Sequence, residues 1–166
     1  MSRRFGNPIV ILQAIVNRLI ERIGSAEPAT CYLAINPDSV ADKPSPGRMT
    51  FVVSPASGSF SEALFDGGGA QQLSLAGGVI VKIHGVLQLD EVGRDTQTIV
   101  HESEGLLRNA TEVLDALTNW SPQDVAGNEQ TRDPLYPRDI SFTKDTRGRS
   151  GCEISFACNF DWGLSN

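Results

Sequence analysis

The sequence predicts an α+β domain: a mainly antiparallel sheet with a long helix packed on one face, preceded by a short N-terminal amphipathic helix. Two observations carry this. Between Gly77 and Leu117 the apolar period changes from two to nearly four at Gly93, so a long strand runs into a longer helix. Near the end, "RDISFTK" and "GCEISFACNFDWGL" flank "DTRGRS" and read as a hairpin over 138–162. With 166 residues, 40% apolar and 20% charged, the chain fits one domain, residues 1–166, around a single core.

Taken in order, the first element is a helix over 8–23. Asn7 suits the N-cap, Pro8 the first helical position, and Gly24 a left-handed C-terminal residue. Ile9, Leu12, Val16, Leu19, Ile20 and Ile23 form its apolar stripe, opposite Gln13, Asn17 and Glu21. Those polar residues, with Arg18 and Arg22, interrupt the apolar run and make it an amphipathic helix rather than a signal peptide or a membrane span. Two strands follow, Thr30 to Ile35 and Met49 to Ser54, joined by a proline-rich loop.

The next stretch, "PASGSFSEALFDGGGAQQ", is too glycine-rich for a regular element and too apolar to be fully solvated. It reads as a flexible arm over about 55–72 whose Phe60, Leu64 and Phe65 dock on a neighbouring chain or fold back on their own core. A long strand over 78–90 directs Val79, Val81, Ile83, Leu87 and Leu89 one way. Ile80, Lys82, His84, Val86 and Gln88 point the other way. Asp95 can cap a helix over 96–119, about 36 Å long at ~1.5 Å per residue, with Leu106, Leu107, Ala110, Val113, Leu114 and Leu117 among its apolar positions. Gly105 inside it marks a close approach or a slight bend. In the last strand Cys152, Ile154, Phe156, Cys158 and Phe160 share the core face.

Little in the chain points to catalysis. Of the two histidines, His84 shares a strand face with Lys82 and Gln88, and His101 lies on the helix beside Glu102 and Glu104. Neither is placed by a recognisable nucleophile or carboxylate motif, so exchanging both for Gln is expected to leave folding and assembly intact. "HESEG" lacks the i, i+4 spacing of a metal-binding helix, and "DGGGAQQ" lacks the lysine of a phosphate loop. Cys31, Cys152 and Cys158 have no CxxC spacing and read as small core residues. Trp120 and Trp162 close elements and read as core lids or, second, as interface anchors. No catalytic, cofactor-binding or metal-ligating residue is assigned, and no cofactor is expected. A net charge of -6 disfavours nucleic acid as a partner held by phosphate neutralisation.

The order of helix, strand, strand, arm, long strand, long helix and hairpin resembles the tail-terminator and minor tail proteins of long-tailed bacteriophages and their relatives in contractile injection machines. The resemblance implies a structural protein forming a ring, usually hexameric, that caps the tail tube and joins it to the head. Its partners would be further copies of itself and tube or head-connector proteins. It would be made in the cytoplasm of a bacterial host and carried in the virion. Two other readings stand beside it. One is a small-ligand binder or enzyme with a pocket between the long helix and the sheet, polar at Lys82, His84 and Gln88. The other is a protein-binding adaptor that uses the arm or a free sheet edge.

Overall fold

The computed structural model describes residues 6–38, 49–62, 72–85, 96–144 and 150–163. In chain order the elements are α1 (Pro8–Arg22), β1 (Cys31–Leu33), β2 (Thr50–Glu62), β3 (Gln72–His84), α2 (Thr96–Leu117), β4 (Tyr136–Lys144) and β5 (Ser150–Gly163). The five strands make one sheet in the order β1-β2-β3-β5-β4. The β1–β2 pair is parallel and the other pairs are antiparallel. Both helices pack on one face, α1 over β1 and β2, α2 over β3 and β5, and the chain is therefore α+β.

The N-terminus of α1 is built from its capping chemistry. The Asn7 side chain accepts a hydrogen bond from the Ile9 amide at 2.9 Å, and Pro8 supplies a preset backbone angle where no amide is required. Its buried side is Ile11, Leu12, Ile15, Val16 and Leu19, wider than the predicted stripe, while Ile9 is 72% exposed. The left-handed turn expected at Gly24 is not used. Ile23 is already extended, donates its amide to the Leu19 carbonyl, and buries its side chain.

Among the described side chains of α2 the buried ones are Leu106, Asn109, Ala110, Val113, Ala116 and Leu117; Leu107 is exposed and Leu114 sits at the flank. The helix closes with Asn119 in the left-handed conformation (φ 59°), its amide donating to the Leu135 carbonyl. Arg18 of α1 ties the helices together by donating from Nε to the Ala116 carbonyl at 3.0 Å, with its guanidinium 5.1 Å from the Trp120 ring centre. Asn109 links α2 to the segments that follow α1 and precede β2: it accepts from Ser25 Oγ at 2.8 Å and donates toward Met49 Sδ. Trp120 is half-buried and packs against the core.

The flexible arm is the main correction. Residues 55–62 continue β2 and pair with β3 as far as Glu62↔Leu73, so Phe60 lies in the sheet opposite Leu75. Glycine and serine are tolerated because the strands are irregular there. The register shifts between Ala56 and Ser59, and a Cβ on Gly58 would lie 2.7 Å from the Gly77 Cα. Leu64 and Phe65 fall outside the described residues. So do 86–95, which hold Gln88, the period switch at Gly93 and the proposed cap Asp95. Strand β3 itself starts at Gln72, not 78, and β4 starts at Tyr136, not 138.

The face away from the helices carries Lys82 and His84, both buried. Lys82 lies between Val52 and Glu153 in the register and extends its Nζ to Asp38 Oδ1 at 2.5 Å, with Glu153 Oε2 at 4.0 Å. His84 Nε2 is 3.0 Å from the Pro37 carbonyl oxygen, an acceptor, so Nε2 carries the hydrogen and donates. These two residues therefore pin the segment after β1 onto the back of the sheet. They do not line a pocket beneath α2, and His84 at 3% exposure is not freely exchangeable.

Candidate functional site

Unequal strand length opens a groove at one edge of the sheet. β1 has three residues, and its ladder with β2 ends where the Ala34 amide donates to the Val53 carbonyl. β2 runs on for eight more residues from Pro55 to Glu62, with its outer edge unpaired among the described residues. The first turn of α1 overhangs this gap. Ile9 consequently has no strand beneath it, which is why a residue on the predicted stripe faces solvent.

The space between the α1 start and the sheet is an open groove of about 340 Å³. Ile9 and Leu12 form one wall, Pro55, Leu75 and Val79 the floor, and Leu33 and Ile35 the rim beside the free edge. Ile35 is 79% exposed. At the far end Trp162 stands between Phe160 and Phe60, with ring centres 5.9 Å and 6.3 Å away. The lining is almost wholly apolar, so the groove offers burial of hydrocarbon and few polar handles for orienting a substrate.

A second bare apolar strip lies at the opposite edge. On β4, Ile140 is opposite Ile154 and Phe142 opposite Cys152, which puts both on the helix side of the sheet. Since α2 rests on β3 and β5, they are left uncovered, Phe142 at 57%.

Of the three residues proposed for an interface, Phe60 is exposed and packs on Trp162 at the groove's end; Leu64 and Phe65 lie outside the described residues. Sequence reading missed the groove because Ile9, Leu33 and Ile35 each look like ordinary members of a buried stripe or strand. Their exposure follows from where β1 stops. Burial removes the thiols from consideration: it pushes Cys31 and Cys158 up to about 12 and, with help from Glu153, Cys152 up to about 11. His101 is exposed on α2. Among the described residues no cluster of His, Cys, Asp and Glu could hold a metal ion, and no helix is long and apolar enough to cross a membrane.

No protein family and no curated protein matches this sequence. Among solved structures, a chain of "Virion of native gene transfer agent (GTA) particle" is similar at 12% sequence identity, with a TM-score of 0.47 over 91% of this chain and 94% of that one.

Proposed function

We propose that this chain is a structural protein that works by self-association, as a ring at the end of a phage-like tail or at its junction with the head. Self-association is supported by one observation above others: among the described residues, the sheet has bare apolar surface at both of its edges, next to backbone without strand partners. Soluble monomers normally blunt such edges with charge, proline or a covering element. Along the free run of β2 the sequence offers only Pro55 and Glu62 to blunt it, and the groove beside it is almost wholly apolar. The tail setting comes from the order of elements, which resembles that of tail-terminator and minor tail proteins, and a hexamer is the ring size that resemblance implies. Tube or head-connector proteins are then the neighbours on either side of the ring.

The test is molar mass by light scattering at two concentrations, followed by negative-stain microscopy. Rings of one subunit number are expected; a monomer at the highest soluble concentration, with no rings on the grid, would sink the proposal. An adaptor that takes up an extended segment of another protein is the second reading, favoured by the free β2 edge beside the groove.

A further inference from the structure

We propose that copies of this chain join head to tail by extending one sheet into the next: the outer edge of β4 in one copy pairs with the free run of β2, Pro55–Glu62, in its neighbour, and Ile140 and Phe142 enter the neighbour's groove. This rests on the self-association reading and specifies its contact.

The backbone supplies the first argument. The sheet order leaves two outer edges, β1 with the overhanging half of β2 on one side and β4 on the other. Among the described residues, the outer amides and carbonyls of both are free of strand partners over similar lengths, eight residues on β2 and nine on β4. Pairing them completes hydrogen bonds that neither chain makes alone.

Face matching is the second. In a sheet that continues across a contact, every side chain keeps its side, because successive residues alternate faces. Ile140 and Phe142 lie on the helix side, and so does the groove, whose floor includes Val79 and Leu75. The two apolar strips therefore arrive on the same side without any turn of the strand. Pairing β4 with β4 would satisfy that edge and leave Ile9, Leu33, Ile35 and the rim of Trp162 bare in every assembly.

Area is consistent with this choice. The exposed parts of Ile9, Leu33, Ile35, Phe60 and Trp162 on one side and of Ile140 and Phe142 on the other amount to roughly 800 Å², and the two paired main chains with the side chains flanking them add the rest of the roughly 1,200 Å² that a specific contact buries. A contact between two different patches leaves one of each unused at every step, so addition continues until the ring closes.

Two variants separate the edges. Ile140→Glu/Phe142→Glu blocks β4 and leaves the groove intact; Ile9→Glu/Ile35→Glu blocks the groove and leaves β4 intact. All four side chains are substantially exposed, so the fold should survive, which circular dichroism checks; Ser replaces Glu at any position where it does not. Each variant alone should run as a monomer, with self-affinity reduced by at least about tenfold. Mixed one to one they should form a dimer and nothing larger, because one good edge of each kind remains. If one variant still self-associates and mixing adds nothing, the contact pairs like with like and the inference is wrong. If the parent forms rings and both variants do too, the contact lies elsewhere while self-association stands. If the parent is monomeric throughout, self-association itself fails and this contact with it.

Discussion

Replacing Leu106 by Ala should cost far more stability than the same change one residue later, at Leu107. The two are neighbours in sequence but point about 100° apart on α2; Leu106 is 5% exposed against the sheet and Leu107 is 52% exposed. Truncation removes three carbons, which at about 0.8 kcal/mol per buried methylene is roughly 2.4 kcal/mol for Leu106 before any cavity forms. The unfilled space raises this to as much as about 5 kcal/mol, because α2 is held at its C-terminal end by Asn119 and the Arg18 bond to Ala116, and beside Leu106 by the Ser25 bond to Asn109, and has little freedom to collapse. For Leu107 the loss is at most about 1 kcal/mol and is partly offset by the better helix propensity of Ala. Urea unfolding followed by circular dichroism, at one fixed protein concentration, measures both. For a chain of this size the Leu106 variant should also melt roughly 5–15 °C lower. Should Leu107→Ala prove as costly as Leu106→Ala, the face of α2 that meets the sheet has been misassigned.

Three other outcomes follow from the same packing. Gly105→Ala should stabilise by up to about 1 kcal/mol in the urea titration, since the new Cβ meets only the tip of the Met49 side chain at 3.2 Å; a loss of stability would mean that Met49 cannot shift. His84→Gln should cost about 1–3 kcal/mol because it disturbs a buried group bonded to Pro37, whereas His101→Gln should stay within about 0.5 kcal/mol; equal effects would contradict the two burials. The cysteines predict alkaline weakening. Their folded values are raised to about 11 or 12, so the unfolded chain loses its thiol protons first, and stability is full below about pH 9 and falls above it, by up to ~1.4 kcal/mol per pH unit for each thiol. A urea midpoint unchanged from pH 8 to pH 10, or rapid labelling of native protein by a thiol-reactive dye at pH 8, would refute it.

The class of fold was legible because its signals are local. Alternation in Cys152 to Phe160 reports one buried face whatever lies above it, and the Asn7-Pro8 start of α1 is a matter of backbone donors within one turn. The 3.6-residue spacing of Leu106, Ala110, Val113 and Leu117 likewise needs only the geometry of a helix. Local signals misled in two places. Glycine and serine from 55 to 62 have poor strand propensity, but β3 already lies alongside and supplies a ladder that outweighs it, with the bulge at Gly58 absorbing the misfit. Lys82 and His84 read as polar lining of a pocket because alternation separates two faces without saying which one the helices will cover.

By itself, then, the sequence determined both helices, the central part of each strand and which side chains of those parts share a face, since these depend on periodicity and on hydrogen bonds a few residues long. Tertiary structure decided where each strand stops relative to its neighbour. β1 ends at Leu33 while β2 continues to Glu62, and that offset turns Ile9, Leu33 and Ile35 from core candidates into the wall and rim of an open groove. Exposure of an apolar side chain depends on what is packed against it from distant parts of the chain, and no pattern within a single strand or helix contains that information.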